Sequence, residues 1–159
     1  MPTPVASPKE ALRAITIFFY SMIGGLLMFA VIVFALTFLE TPGLTDKSME
    51  QIFLVIVLFA AIISTTLATR LYKKRVAETN SLSLTLMDKL NMYRAALILY
   101  LALCEGAGIF AVIVYFLTGN NLLLIIIAFV LFVMLLKRPE KFKIFNELQL
   151  SSDEQSELN

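Results

Sequence analysis

Four long runs of apolar residues constrain this chain more than any motif in it. From Ala14 to Leu39 only hydroxyls (Thr16, Tyr20, Ser21, Thr37) and the Gly24-Gly25 pair interrupt the run. Its 26 residues make a helix of about 39 Å at 1.5 Å per residue, enough to cross a bilayer with some tilt. A second run, Ile52 to Thr69, ends at Arg70 and the cluster Lys73-Lys74-Arg75. A third runs from Ala95 to Thr118 with Glu105 as its only charged residue, and a fourth, Leu122 to Leu136, is closed by Lys137-Arg138-Pro139. The chain is 59% hydrophobic and 16% charged, well above the roughly 45–50% apolar share of a soluble domain. The expectation is one all-α integral membrane domain, a four-helix bundle with spans at about 14–39, 51–70, 94–118 and 121–137.

Orientation follows from where the 13 Lys and Arg fall. The N-terminus holds Lys9 and Arg13. The middle loop holds Arg70, Lys73, Lys74, Arg75, Lys89 and Arg94, and the C-terminus holds Lys137, Arg138, Lys141 and Lys143, which leaves Lys47 alone in the first loop. The positive-inside rule then puts both termini and the middle loop in the cytoplasm, with 40–50 and the Gly119-Asn120-Asn121 turn facing out. Residues 1–10, opening Met-Pro-Thr-Pro, are expected to be disordered, and the first apolar run is too long for a signal-peptide core and is read as retained. The bacterial inner membrane is the expected location.

The middle helices are expected to project beyond the bilayer. Ser48-Met49-Glu50-Gln51 has the form of a capping box, Thr85-Leu86-Met87-Asp88 resembles a second helix start, and between them a turn is expected near Thr79-Asn80-Ser81. The result is a tall cytoplasmic hairpin. After Pro139, the apolar residues Phe142, Phe145 and Leu148 recur beside Lys141 and Lys143, as in a short interfacial helix. A polar tail follows from Ser151. Arg70, Lys73, Lys74, Arg75, Lys137 and Arg138 are read as topology determinants and lipid-headgroup contacts.

Composition removes whole classes of chemistry. Without His there is no Ser-His-Asp relay and no Cys/His zinc site, and the single Cys104 forms no internal disulfide. No second intramembrane acid completes a carboxylate dyad with Glu105, so the chain is not expected to be an enzyme, nor to hold a metal or cofactor. A net charge of +1 gives it no general pull on nucleic acid.

Glu105 is the anomaly. Counted from Arg94 it lies 11 residues in, about 16 Å deep in a hydrocarbon layer about 30 Å thick, and the spans hold no Lys, Arg or His to pair with it. An ionised carboxylate there costs several kcal/mol unless partnered, which leaves three resolutions: the group is protonated, it binds a monovalent cation such as sodium, or another subunit supplies a charge. Depth matching puts Gly24, Gly25, Ala60 and Ala61 at its level, with Gly106 and Gly108 on its own helix, as small residues for close helix packing. The hydroxyls of Tyr20, Ser21, Ser64 and Thr65 lie within one to two turns and are candidate hydrogen-bond partners or ion ligands.

The segment Ala102-Leu103-Cys104-Glu105-Gly106-Ala107-Gly108-Ile109-Phe110-Ala111-Val112-Ile113-Val114-Tyr115-Phe116-Leu117 resembles the carboxylate-bearing helix of rotary ATPase proteolipids, the subunit c and K family. That resemblance implies that Glu105 carries the ion and that the second and third helices form a proteolipid-like hairpin. The whole chain, with Arg-Pro-Glu-Lys-Phe-Lys after the last span and Leu-Gln-Leu-Ser-Ser-Asp-Glu near its end, looks like a group of small four-span bacterial membrane proteins of uncharacterised activity. Two functions stay open. One is an ion-linked subunit of a homo-oligomer or larger membrane complex, exchanging a proton or sodium at Glu105. The other is a membrane scaffold in which Glu105 is a structural hydrogen bond.

Overall fold

The computed structural model describes residues 7–39, 46–82 and 84–158. The proline-rich opening, residues 1–6, and most of the expected outward loop, 40–45, lie outside the described residues. The described chain is all helical: α1 Pro8–Leu39, α2 Lys47–Ser81, α3 Leu86–Thr118, α4 Leu122–Leu135, α5 Lys141–Glu147 and α6 Ser152–Glu157. Three of these, α1, α2 and α3, are long and apolar enough to cross a membrane. At 14 residues α4 is equally apolar but only about 21 Å long.

Helix α3 is the centre of the bundle, with α1, α2 and α4 packed around it. Its long-range partners fix the directions. Moving up α3 from Gly108 to Tyr115, the α1 neighbours move from Leu26 to Phe34, so these two helices run parallel. Against α2 the order reverses: Ser64 meets Leu103, whereas Tyr72, further along α2, meets Tyr100 and Tyr93 further back on α3. Tyr100 also donates to the Val133 carbonyl of α4 at 2.8 Å, across an antiparallel pair.

Each helix buries a stripe whose spacing matches its role. In α2 the buried positions Val57, Ala61, Thr65, Ala68, Tyr72, Val76 and Thr79 step by 4-4-3 residues. That mean of 3.67 residues per turn keeps one face on α3 along a nearly straight helix. In α1 the steps from Leu12 through Ile15, Phe19, Ile23 and Leu26 are nearer the heptad mean, again giving one narrow seam. The large apolar side chains on the other faces, among them Ile17, Met28, Ile52 and Ile63, are exposed, as lipid-facing residues would be.

The helix ends correct four sequence expectations. Residues 8–10 are helical, because Ser7 caps α1: its N–H donates to Glu10 Oε2 at 2.9 Å and its Oγ accepts from the Glu10 N–H at 3.3 Å. Pro8 then sits at the first helical position, where its missing N–H costs nothing. The expected capping box at Ser48 does not form; α2 starts two residues earlier than that box would set it, behind Asp46, which caps through no side-chain bond. The turn expected at Thr79-Asn80-Ser81 falls just past Ser81, because Thr79 and Ser81 bond back to the Arg75 and Glu78 carbonyls and stay within the helix. The fourth correction concerns the C-terminal segment. The polar tail expected from Ser151 is a short helix, α6, and Leu158 after it is buried in the common core with Ile144, Leu148 and Leu150, while the helix expected after Pro139 forms as α5 with Phe142 outward at 76% exposure.

Two expected boundaries appear as read. Thr85 caps α3 by accepting from the Asp88 N–H at 3.3 Å and donating to its carboxylate at 2.6 Å. Gly119 ends α3 at φ 66°, a left-handed conformation that suits glycine, and its N–H returns to the Tyr115 carbonyl. Asn120 Oδ1 then accepts from the Leu122 N–H at 2.9 Å and starts α4.

Candidate functional site

Glu105 sits halfway along α3, at the seam with α1. Its side chain is half-buried, and Oε1 lies 3.8 Å from the point a Cβ on Gly25 would occupy. The carboxyl therefore rests on the bare backbone of α1, at the depth the sequence assigned to both residues. Three residues further along α3 the two helices close completely: a Cβ on Gly108 would stand 2.6 Å from Leu26 Cδ2. The carboxyl thus lies beside Gly25, next to the tighter Gly108–Leu26 contact of the same seam.

The four candidate hydroxyls do not converge on it. Ser64 donates to the Leu103 carbonyl at 2.6 Å, pinning α2 to α3. Thr65 is buried and donates to the Ala61 carbonyl of its own helix at 2.7 Å. Tyr20 is 44% exposed and lies with its ring under the Arg138 guanidinium, 5.8 Å from centroid to Cζ. Ser21 alone shares a helix face with Gly25, one turn away, and it is exposed. The small residues divide as well: Ala61 is fully buried and Ala60 half-buried on α2, but Gly24 and Gly106 have open space where a side chain would go. Among the described residues no cluster of three or more acids and thiols suited to a metal occurs.

The basic end of the bundle is organised by a residue that sequence reasoning passed over. The carboxylate of Glu147, on α5, accepts a hydrogen bond from the Tyr72 hydroxyl of α2 and pairs with Lys137, after α4, at 3.2 Å. The Glu147 backbone carbonyl accepts from Asn80 Nδ2 at 2.8 Å. Lys137 lies over the Tyr72 ring, 4.2 Å from its centroid, a cation–π contact that completes the cluster. Lys137 is thus engaged by Glu147 and Tyr72, with its side chain part-buried. Beyond it, Glu154 pairs with Lys89 of α3 at 2.7 Å, and that lysine, together with the Ser151 hydroxyl and N–H, holds the Glu154 carboxyl below the usual carboxylate range. Lys141 donates to the Leu158 carbonyl at 3.1 Å. Residues 141–158 therefore form a clasp over the far end of the α2–α3 hairpin. The signal was present as Ser151-x-x-Glu154, a complete capping box, preceded by Ile144 and Leu148 at helical spacing.

The other basic residues read as headgroup contacts stay open to the surroundings. Arg70, Lys73, Lys74 and Arg75 are exposed on α2, Lys74 at 3.9 Å from Glu78, and Arg138 is 3.7 Å from Glu140. Compared with protein-family models, curated proteins and solved structures, the chain matches none.

Proposed function

We propose that this protein is a small four-span subunit of a bacterial inner membrane, with both termini and the α2–α3 turn in the cytoplasm, in which Glu105 binds and releases a proton. The observation that carries this reading is the seat of the Glu105 carboxyl against Gly25, halfway along apolar helices. An acid at that depth is costly and usually functional. The surroundings favour a proton over sodium. A sodium ion needs several oxygen ligands gathered around it, whereas the Ser64 and Thr65 hydroxyls sit on the Leu103 and Ala61 carbonyls and not on the Glu105 carboxyl, and Ser21 alone stands on the right face. In this reading α4 completes the fourth crossing, lengthened by Asn120 and Asn121, and the basic end faces the cytoplasm. The half-exposed side of Glu105 then meets either lipid or another subunit, which makes a homo-oligomer or larger membrane complex the working form.

Carbodiimide labelling of membranes, read by mass spectrometry across pH with and without sodium, tests the reading. Labelling of Glu105 that titrates with pH and ignores sodium supports it; protection by sodium reassigns the ion. Glu105→Gln is the control.

A second reading, a membrane scaffold, draws on the clasp, which gives the basic end a fixed surface with Lys73, Lys74 and Arg75 outward. It requires that Glu105→Gln leave function intact while removal of 139–159 abolishes it.

A further inference from the structure

The flank of α2 that faces α4 carries a feature the Glu105 site does not use. Three adjoining shallow hollows run along α2, the first and third bounded by both helices and the second by α2 alone. The first, about 370 Å³, is lined by Thr65, Thr66, Thr69, Arg70 and Val133. The second, about 390 Å³, shares Thr66 and Arg70 and adds Ile62, Ile63 and Leu67. The third, about 330 Å³, shares Ile62 and is wholly apolar, between Leu58 and Ala61 of α2 and Ile125, Ile126 and Phe129 of α4. From Leu58 to Arg70 the groove covers about 18 Å at the helical rise, slightly more than one leaflet of a hydrocarbon core about 30 Å thick. It is polar at one end and apolar along the rest.

Its polar end has donors to spare. Among the described residues Arg70 lies within ion-pair distance of no carboxylate. Thr65 and Thr69 are bonded to the Ala61 and Thr65 carbonyls, so Thr66 is the hydroxyl that remains. A guanidinium beside a hydroxyl, at the level where the apolar run ends, matches the planar, multidentate recognition of a phosphate. A helix does not suit this groove. An apolar helix laid on it leaves the Arg70 guanidinium unanswered, whereas a phospholipid matches both the polar end and the apolar length.

We propose that the α2–α4 groove holds one anionic phospholipid, with its phosphate on Arg70 and Thr66 and an acyl chain along Ile62, Leu58, Ile125 and Phe129. The inference rests on the reading that α2 crosses a bilayer with Arg70 at headgroup level.

The full chain, purified in detergent, is titrated with phosphatidylglycerol and with phosphatidylcholine of identical acyl chains and read by native mass spectrometry. The expected result is a preference of about fivefold for the anionic lipid, the contribution of one arginine near a headgroup. Arg70→Gln abolishes the preference and Arg75→Gln, whose residue lines none of the three hollows, keeps it. Ile62→Trp, at an exposed position, fills the groove and weakens both lipids. Equal binding of the two lipids, or a preference that survives Arg70→Gln, overturns the proposal. So does displacement of the lipid by inorganic phosphate alone, which would mean a free anion site, or a disulfide dimer through Ile125→Cys that excludes lipid, which would mean a second copy occupies the groove. Alkaline carbonate extraction separates the two levels: a chain that leaves the membrane defeats the spanning reading, whereas an integral chain without lipid preference defeats only the lipid site.

Discussion

Gly25 and Glu105 meet across the α1–α3 seam, with Glu105 Oε1 3.8 Å from where a Cβ on residue 25 would stand. That distance is ordinary van der Waals contact, so Gly25→Ala should leave the carboxyl in place and, by helix propensity, stabilise α1 by up to about 1 kcal/mol. Gly25→Leu cannot fit beside the carboxyl and should turn it outward. Gly24→Leu, which points into open space, should do neither. The comparison is read as carbodiimide labelling of Glu105: unchanged in Gly25→Ala and Gly24→Leu, altered several-fold in rate in Gly25→Leu.

The neighbouring contact gives a sharper stability test. Gly108 faces the buried Leu26 so closely that a methyl at residue 108 would stand 2.6 Å from Cδ2 and 3.1 Å from Cδ1. Leu26 is 1% exposed and has little room to rotate away. Gly108→Ala should cost about 1–3 kcal/mol, the range for overpacked cores, despite alanine's better helix propensity. Gly106→Ala, two residues earlier with nothing near it, should be neutral or stabilising. Thermal unfolding of the two variants in the same detergent should separate them by several degrees.

The Glu147 cluster predicts a third result. Removing the carboxylate leaves the buried Tyr72 hydroxyl without its acceptor and Lys137 without its counterion. Glu147→Ala should therefore destabilise the basic end by about 1–3 kcal/mol, the cost of stranding buried polar groups. Glu140→Ala should cost almost nothing, since that residue pairs with Arg138 where both are more than half exposed. Limited proteolysis after residue 139 would report the difference as faster release of the clasp in the first variant alone.

These contrasts mark what could be read in the sequence. The all-helical class and three long apolar helices were legible from run length, and the Gly119 turn and the Thr85 cap from single residues whose conformational roles are local. Gly25 beside Glu105 was legible because both lie a similar number of residues from a basic edge, and a helix converts count to depth. Azimuth was not. Depth alone could not tell that Ser64 turns to the Leu103 carbonyl, that Thr65 bonds within its own helix, or that Gly24 and Gly106 face away from their neighbours. The clasp was missed for a different reason. Of the expected apolar face Phe142, Phe145 and Leu148, the last is buried, Phe145 packs against the core and Phe142 is exposed, while Ile144 packs beside them and Glu147 finds Tyr72, 75 residues away, which no local pattern encodes.

The clasp also carries a pH dependence whose sign is fixed by Lys89. Glu154 pairs with that lysine and accepts from Ser151, so its carboxyl titrates below the ordinary range in the folded protein. A carboxylate depressed in this way contributes stability that is fully present above its unfolded value, about 4.3, and is lost as pH falls through the lower folded value. The clasp should therefore be indifferent to pH through neutrality and loosen at α6 only under acid, below about pH 4. The groups facing Glu154 are Lys89 and the Ser151 cap, with Asp153 and Glu157 on its own short helix. Hydrogen exchange at residues 152–157, measured between pH 3 and 7 and corrected for intrinsic rates, should show protection falling at the acid end. In Lys89→Gln the protection should already be reduced at neutral pH, and its acid dependence should shift upward toward an ordinary glutamate. Protection that is lost around neutral pH in the wild type would mean that a group other than Glu154 governs the clasp.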